Sequence, residues 1–325
     1  MKISVAMCTY NGAEYLPAQM ESILAQSRPP DEIVICDDCS TDKTKTLLDQ
    51  FKSASSVQIN TKINKQNLGS VKNFEQAISM CSGDVVALSD QDDVWRNDKL
   101  QRIDDAFRDN PTAGLVFSDA EIVDENLNPL HRRMWSEVGF DDHKRKLVRT
   151  GRALEVLITG WTVTGATMAF RAKFSKLSLP IPNEIAMIHD GWIALTIAAV
   201  AQVVMIDEPL IKYRQHERQQ IGAPTRTHHQ RATHSIEAAL RRRNSSADLH
   251  KILTTLSERL SANAHLYDTR SALSFVSDYS FHLNVRANLP QRRLNRVPSI
   301  LRELLSLRYH EYANGFKSAA KDLVS

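Results

Sequence analysis

Short apolar runs alternate with segments of helical periodicity over the first 120 residues, and this alternation constrains the fold more than any other feature. Five apolar runs predict buried strands, at 3–8, 32–36, 57–60, 85–89 and 115–118. Helical periodicity lies between them, at 13–26, 70–81 and 97–109. Strands that alternate with helices at this spacing predict an α/β fold with a mainly parallel sheet.

The rest of the chain is less regular, and its last third predicts a helical extension. Residues 131–150 are polar and basic, which favours a loop. The patterns that follow predict a strand at 162–170, a helix at 189–201, two strands at 203–206 and 210–213 around a turn, and a linker at 222–233. We therefore predict an α/β domain over 1–221 and a basic helical region over 222–325.

Composition and charge narrow the class of protein. Hydrophobic residues make up 42% of the chain and charged residues 24%, which excludes a disordered or collagen-like protein. Residues 1–221 carry 25 Lys and Arg against 30 Asp and Glu, whereas 222–325 carry 16 against 8. The basic region is open to four interpretations: contact with an anionic membrane, with a nucleic acid or with the acidic domain, or a solvated helical face.

The sequence shows neither a membrane span nor an export signal. No window of about 18 apolar residues occurs, and the N-terminal MKISVAMCTYNG leads directly into a strand-like run. The four cysteines form no disulfide framework, which suits a reducing compartment. We therefore expect a cytoplasmic protein, with peripheral contact to the inner face of the cell membrane as an extension of that expectation.

Polar and acidic residues follow the predicted strands, at the edge where open α/β sheets bind their ligands. They are Thr9-Tyr10-Asn11-Gly12, Asp37-Asp38, Asp90-Gln91-Asp92-Asp93 and Asp119. Carboxylates that converge at one edge repel one another, so we expect a cation among them.

The triplet Asp90-Gln91-Asp92 is the sharpest of these features. Side chains two apart on an extended segment point the same way, so two carboxylates can share one divalent cation whose shell a diphosphate completes. The alternative is that these residues only end a strand and cap the next helix. Neither GxGxxG nor GxxxxGK(S/T) occurs in the chain, which disfavours a dinucleotide site and a P-loop.

Together these motifs resemble glycosyltransferase family 2, inverting enzymes of the GT-A fold. Matching segments follow in family order across 3–221: VAMCTYNGAEYL, SILAQ, EIVICDDCSTDKT, NLGSVKNFEQAI, GDVVALSDQDDVWRNDKL, TGATMAFR, HDGWIAL and DEPLIKYRQH. The combination of SDQDDVW, DKL, HDGWIAL and YRQH is most similar to the bacterial rhamnosyltransferase branch, and RYHEYANGFKSAAKDL at 308–323 is similar to that branch's C-terminus. The chain departs from the family pattern at Cys8 and Gly191.

The resemblance implies a role for each matching position. Asp190 is the implied general base, and Asp92 and His216 are the implied ligands of Mg²⁺ or Mn²⁺ on the donor diphosphate. Tyr10 and Asp38 are implied to hold the nucleobase, which needs a flat apolar contact and an acceptor for its N–H. The implied donor-binding set is Thr9, Tyr10, Asn11, Glu14, Asp38, Asn67, Gly69, Asn73, Asp90 and Arg214. Trp161, Gly165 and Trp192 form the predicted acceptor-binding set, in which the two tryptophans stack on a sugar; packing of both tryptophans in the core is the open alternative.

The implied activity is metal-dependent, non-processive transfer of a sugar with inversion of configuration. The resemblance makes the donor a nucleoside diphosphate sugar, with dTDP-rhamnose as the expected one, and the acceptor a hydroxyl of a cell-surface glycan or lipid-linked glycan. The C-terminal helices are expected to form a homodimer.

Two other functions stay open on the sequence alone. A nucleotidyltransferase needs a glycine-rich basic loop after its first strand, where this chain reads CTYNGAEY. A nucleic-acid-binding module would rest on the basic region, which carries no recognised motif, and we expect no nucleic-acid partner.

Overall fold

The computed structural model describes residues 1–160, 162–185, 187–217, 219 and 246–324. The chain divides into two compact units, 1–243 and 244–325. The predicted domain boundary after residue 221 falls in the stretch 220–245, which lies outside the described residues, and it stays a prediction.

The first unit contains a sheet of nine described strands. The strands are β1 Ile3–Thr9, β2 Glu32–Asp37, β3 Gln58–Ile63, β4 Val85–Ser89, β5 Val94–Trp95, β6 Ala113–Val123, β7 Pro129–Arg133, β8 Met168–Arg171 and β9 Gln202–Arg214. Their order is β3-β2-β1-β4-β8-β6-β9-β5, with β7 paired to β6. β1 to β4 run parallel, and β6 and β9 keep that direction because β8 lies antiparallel between β4 and β6. The predicted α/β fold with a mainly parallel sheet is confirmed.

Helices cover this sheet, which explains why its central strands read as continuous apolar runs. The helices are α1 Leu16–Leu24, α2 Thr44–Ala54, α3 Ser70–Met80, α4 Lys99–Asp109, α5 Met134–Glu137, α6 Asp142–Arg149, α7 Ala153–Thr159, α8 Ser175–Ser178 and α9 His189–Ala198. α4 shows the pattern well, since Leu100, Ile103 and Phe107 recur at helical spacing and are all buried.

The second unit is helical, as predicted. Its helices are α10 Ser246–Ala262, α11 Arg270–Ala287, α12 Arg293–Leu305, α13 Arg308–Tyr312 and α14 Phe316–Val324. A buried pair links α11 to α12, with His282 Nδ1 2.7 Å from Glu303 Oε2. Across the described parts of both units, no helix combines the length and the apolarity that a membrane crossing requires.

The prediction of a loop over 131–150 is wrong. This segment continues β7 and forms α5 and α6, and its two large aromatic side chains explain why. The rings of Trp135 and Phe140 are buried and lie 5.5 and 5.7 Å from the ring of Phe117. α6 begins at an N-cap, where the Asp141 carboxylate accepts a hydrogen bond from the Lys144 backbone N–H at 3.0 Å.

Two strand predictions also need correction. The predicted strand over 162–170 is a 3₁₀ helix, Gly165–Thr167, followed by the short β8. The two strands predicted around Glu208-Pro209 are one strand, β9, because Pro209 sits opposite Asp119 where the register of the β6–β9 pairing shifts. An irregularity of this kind is where a sheet accepts a proline.

Candidate active site

The carboxyl ends of the parallel strands meet at one edge of the sheet. Thr9, the last residue of β1, lies opposite Asp37, the last residue of β2, and Ser89 ends β4 beside them. A cavity of about 350 Å³ opens at this edge. The predicted site residues that line it are Thr9, Tyr10, Asn11, Glu14, Asp38, Asn73, Asp90, Asp92, Asp190 and His216.

Asp92 and His216 form a close pair on the wall of this cavity. The Nε2 atom of His216 lies 2.9 Å from Oδ2 of Asp92, and the His216 ring packs on Tyr15 with centroids 4.5 Å apart. A carboxylate and an imidazole together are a donor set that divalent cations accept.

Arg214 fastens β9 to the loop that carries Asp92. Its Nε donates to the Asp92 carbonyl at 2.7 Å, its Nη1 donates to the Glu125 carbonyl, and its backbone N–H donates to Asp93 Oδ1 at 3.1 Å. The guanidinium also lies over the Tyr15 ring, 4.7 Å from its centroid. These contacts place Arg214 behind the cavity wall, so its position favours support of the loop over the direct phosphate contact that the sequence implied.

The acidic loop, residues 90–93, holds buried carboxylates that repel one another. Burial, together with the charges of Asp92 and Asp190, raises the pKa of Asp90 to about 7. Burial and the neighbouring carboxylates also raise the pKa of Asp93 well above its usual range. Oδ2 of Asp93 has no hydrogen-bond partner among the described residues. Positive charge at this edge would relieve the repulsion, as the sequence led us to expect.

Tyr10 and Asp38 also line the cavity. The Tyr10 side chain is 43% exposed, which leaves its ring available to a ligand. Asp38 is buried, and its carboxylate accepts hydrogen bonds from the backbone N–H groups of Leu68 and Gly69 and from Asn64. This bonding fixes the carboxylate rigidly against the start of α3.

The loop after β1 is held by side chains from two neighbouring segments. Asn11 adopts a positive φ of 47°, and its amide oxygen accepts from the Thr41 backbone N–H at 2.8 Å. Gln91 bonds both backbone groups of Tyr10, at 2.8 and 3.1 Å. A Cβ on Gly12 would lie 2.1 Å from the Gln91 amide oxygen, so this contact requires glycine there.

Asp190 lies in the first turn of α9 and is buried. Its Oδ2 accepts from the Gly165 backbone N–H at 2.9 Å, and its Oδ1 accepts from the Gly191 backbone N–H at 2.5 Å. Two backbone donors therefore orient the carboxylate.

The turn that orients Asp190 is itself held by a buried lysine. Lys99 is fully buried, its Nζ donates to the Ala166 carbonyl at 2.6 Å, and the same atom lies 3.7 Å from the centre of the Trp95 ring. Burial lowers the pKa of Lys99 to about 7, against the opposing charges of Asp93 and Asp90. Lys99 thus fixes the 3₁₀ helix Gly165–Thr167 from below.

Several predicted residues lie outside the cavity lining. Asn67 and Gly69 form the turn before α3, where the Gly69 N–H bonds the Asp38 carboxylate. Trp192 is fully buried and donates to the Ser178 carbonyl at 2.8 Å, a core position that does not support the predicted acceptor contact. The Gly165 backbone N–H donates to Asp190, and Trp161 lies outside the described residues. Asp119, which was expected at the acidic edge, lies inside β6 and is not among the residues that line the cavity. Its carboxylate accepts hydrogen bonds from the backbone N–H groups of Ala120 and Trp135.

The cavity also contains residues to which sequence reasoning gave no role. Gln91, Phe74, Tyr213 and His189 all line it. Each belongs to a segment that carried the family resemblance, so position in a motif was an available signal. Helical or strand periodicity alone places Phe74 and Tyr213 in the core, so the sequence gave no sign that they line the cavity.

The residues at the acidic edge fit a cation that is shared with a ligand. No three His, Cys, Asp or Glu side chains converge as a complete metal site in the described part of the chain. Mg²⁺ is commonly held by one or two protein carboxylates, with substrate phosphates and water in the other positions. The Asp92 carboxylate is a ligand of this kind, and the His216 imidazole beside it adds a nitrogen donor. The charge of Asp92 also helps to raise the pKa of Asp90 to about 7.

Comparison with known proteins places this arrangement in a family. The model for "Glycosyl transferase family 2" matches residues 4–177. An uncharacterised glycosyltransferase of Nostoc is 31% identical over 219 residues, which cover 66% of this chain and 65% of that protein. The dTDP-rhamnosyl transferase RfbG of Shigella flexneri is 29% identical over 226 residues, which cover 67% of this chain and 74% of that protein.

The fold has solved counterparts. The structure of residues 1–349 of S. aureus TarS, in complex with UDP-GlcNAc, superposes with a TM-score of 0.58 at 15% identity. The match covers 99% of this chain and 91% of that one. The alignment with the Nostoc protein spans slightly less than two thirds of that relative's length. With its GT-A fold and its matching segments, the chain belongs to glycosyltransferase family 2.

Proposed function

We propose that this protein is an inverting, metal-dependent glycosyltransferase that transfers one sugar from a nucleoside diphosphate sugar to an acceptor hydroxyl. One observation carries the proposal. A single cavity of about 350 Å³ is bordered by a base-binding pair, Tyr10 and Asp38, by a cation-binding pair, Asp92 and His216, and by the oriented carboxylate of Asp190. These are the three parts that transfer from such a donor needs.

The proposed reaction is one displacement. Asp190 accepts the proton of the acceptor hydroxyl while that oxygen attacks the anomeric carbon on the face opposite the diphosphate. The bond to the diphosphate breaks as the new bond forms, so the configuration inverts. A divalent cation, Mg²⁺ or Mn²⁺, held by Asp92 and His216 would stabilise the charge on the departing diphosphate. Arg214 and Lys99 keep the two carboxylate-bearing segments in place from outside the cavity.

We propose dTDP-rhamnose as the donor and a hydroxyl of a glycan or lipid-linked glycan as the acceptor. The support for the donor is the likeness to the Shigella protein, which is named a dTDP-rhamnosyl transferase and aligns over two thirds of this chain. Five further members of the proposed donor set line the same cavity: Thr9, Asn11, Glu14, Asn73 and Asp90. Asn67, Gly69 and Arg214 lie outside its lining.

The experiment is a thermal-shift screen followed by a turnover assay. A ligand that binds only the folded protein raises its melting temperature, so dTDP-rhamnose, UDP-GlcNAc and GDP-mannose are compared with and without Mn²⁺. Donor hydrolysis that needs Mn²⁺ and disappears in Asp92→Asn supports the proposal. Release of pyrophosphate from a nucleoside triphosphate would instead identify a nucleotidyltransferase, and no stabilisation by any nucleotide sugar would refute the proposed activity.

We further propose that the helical unit contacts an anionic membrane surface, where a lipid-linked acceptor resides. α12 supports this with an exposed apolar face, since Leu294, Leu301 and Leu305 are 85%, 51% and 85% exposed. Their spacing places them on one side of the helix. Arg293 and Arg302 are exposed on the same helix, whose one acidic residue, Glu303, is buried. Apolar residues flanked by arginines fit the interface of an anionic bilayer.

A second copy of the chain is the competing occupant of that face. Pairing α12 with its own copy in a homodimer would place arginines near arginines, without exposed acidic residues on the helix to balance them. The proposed compartment is the cytoplasm, which fits the free thiols of Cys8, Cys36, Cys39 and Cys81. We retain 1–221 as the proposed catalytic domain and 222–325 as the proposed helical region.

A further inference from the structure

His189 stands out in the cavity because its ring is buried without a hydrogen bond. The residue is 6% exposed, and neither Nδ1 nor Nε2 has a hydrogen-bond partner among the described residues. Folded proteins pair the large majority of their buried polar atoms, and an unpaired one lowers stability. Two unpaired ring nitrogens on a side chain that lines a binding cavity therefore point to a ligand that completes them.

The ring of His189 is fixed in one plane by its neighbour. Phe74 on α3 stacks against the imidazole with centroids 4.1 Å apart and 17° between the planes. Phe74 covers one face of the imidazole, and the two ring nitrogens lie at the edge of the ring. The ring is thus oriented before a ligand arrives, and this preorganisation favours recognition of a specific group.

The Nε2 edge of this ring faces the turn that orients Asp190. A Cβ on Gly165 would lie 3.1 Å from His189 Nε2 and 3.6 Å from Asp190 Oδ2. The backbone of Gly165 therefore lies close to both the imidazole of His189 and the carboxylate of Asp190. A ligand group near His189 Nε2 is therefore also near the carboxylate proposed as the base.

The protonation state of the ring defines which group fits. Burial lowers the pKa of His189 to about 3. The neutral imidazole has one N–H donor and one acceptor nitrogen. A sugar hydroxyl matches either nitrogen, because it both donates and accepts, whereas a phosphate oxygen matches only the N–H.

We propose that His189 binds a sugar hydroxyl at the reaction centre and thereby contributes to the choice of sugar. The inference rests on the proposed glycosyl transfer and adds a residue to it. The hydroxyl belongs either to the transferred sugar or to the acceptor, and both present the same chemistry to the ring.

The test separates the sugar from the nucleotide. Isothermal titration in Mn²⁺ measures binding of dTDP and of dTDP-rhamnose to the wild type, His189→Leu and His189→Gln. If the hydroxyl is the donor's, His189→Leu binds dTDP within about twofold of the wild type but binds dTDP-rhamnose about 10- to 100-fold more weakly. His189→Gln, which keeps a donor and an acceptor, recovers most of that loss. His265→Leu, at an exposed histidine, is the matched control and matches the wild type.

An acceptor hydroxyl gives a different pattern. His189→Leu then binds dTDP and dTDP-rhamnose like the wild type and hydrolyses the donor normally. Its KM for a model acceptor such as an octyl glycoside rises by about 10- to 100-fold, and the variant with Gln restores it in part. Either pattern supports the inference.

Sugars that lack single hydroxyls identify the hydroxyl that His189 binds. dTDP-rhamnose or octyl glycosides that lack one hydroxyl at a time are compared in wild type and His189→Leu. Removal of the recognised hydroxyl weakens the wild type but has no further effect on the variant, because the partner is already gone.

Two results overturn the inference. One is a His189→Leu protein that equals the wild type in every measurement. The other is an equal loss of dTDP and dTDP-rhamnose binding, which would assign His189 a purely structural role beside Phe74. Failure of the proposed function is distinguishable from both, because it appears in the wild type as no binding of any nucleotide sugar.

Discussion

Nε2 of His216 lies 2.9 Å from Oδ2 of Asp92, although 124 residues separate them in the chain. β9 brings the histidine to the acidic loop, and the bonds of Arg214 to the same loop fix its approach. The pair therefore depends on the pairing of β9 with β6 as much as on the residues themselves.

Loss of either partner should weaken binding of the nucleotide with its cation. We expect Asp92→Asn and His216→Asn each to lower the affinity for dTDP in Mn²⁺ by about 10- to 100-fold. Because both act through one cation, the double variant should lose less than the product of the single losses. Isothermal titration in Mn²⁺ and in EDTA measures this, with Asp49→Asn at an exposed carboxylate as control. Equal dTDP affinity in Mn²⁺ and EDTA would contradict the cation site.

The exposed ring of Tyr10 should contribute stacking energy to nucleotide binding. Tyr10→Ala is expected to weaken dTDP binding by about 1–3 kcal/mol, the range for base–aromatic stacking. Ile63→Ala is a matched control, because Ile63 is also 43% exposed and lies outside the cavity lining. Titration of dTDP compares the two variants, and equal affinities would remove Tyr10 from the base-binding pair.

Asp190→Asn should separate chemistry from binding. The amide keeps an acceptor for the Gly165 N–H but cannot take a proton, so kcat is expected to fall by about 10²- to 10⁴-fold. The affinity for dTDP should stay within about twofold. Glu184→Gln, at an exposed carboxylate on the segment before α9, should keep full activity. A kcat of Asp190→Asn close to that of the wild type would show that the base lies elsewhere.

His189 should also make stability depend on pH. The unfolded histidine binds a proton near pH 6.5, whereas the folded one, with its pKa lowered to about 3, does not. The contribution of His189 to stability is therefore nearly complete at pH 7 and falls as the pH decreases, by about 2 kcal/mol between pH 7 and 5. Urea denaturation should show this slope to be smaller in His189→Leu than in wild type and unchanged in His265→Leu. Parallel curves for all three proteins would be inconsistent with a buried neutral ring.

The exposed face of α12 should bind vesicles. We expect the full chain to sediment with phosphatidylcholine vesicles that contain phosphatidylglycerol and not with pure phosphatidylcholine, because the arginines need an anionic surface. Leu301→Asp with Leu305→Asp should abolish this, whereas Leu266→Asp, at a 54% exposed leucine of the same unit, should not. Dimers that dissociate in the double variant, without vesicle binding, would assign the face to a second copy. A salt-sensitive shift of labelled RNA would favour a nucleic-acid role.

The elements that sequence predicts well are those with a single strong period. β4 has the bounds that its apolar run predicted, and α4 follows from the spacing of Leu100, Ile103 and Phe107. The segment 131–150 misled prediction because its buried aromatic residues, Trp135 and Phe140, are widely spaced among charged ones. The prediction divided β9 into two strands because Glu208-Pro209 is a typical turn sequence. The structure instead accommodates Pro209 at a shift in register opposite Asp119.

The site divides in the same way. Motif position placed Asp92, Asp190 and Tyr10 at one cavity, since strand ends and helix starts are fixed by the fold. The sequence alone does not determine which side chains are buried, and the structure places Trp192 in the core. The sequence also does not predict hydrogen bonds between distant segments, and Arg214, which lies outside the cavity lining, donates to the Asp92 and Glu125 carbonyls.

Lys99 is not among the residues that line the cavity, yet its Nζ donates to the Ala166 carbonyl, one residue from the N–H that orients Asp190. The proposed activity therefore depends on a residue outside the cavity lining. Mutagenesis confined to residues that line the cavity would omit Lys99. Replacement of Lys99 by a shorter or uncharged side chain removes a contact that helps to position the Asp190 carboxylate.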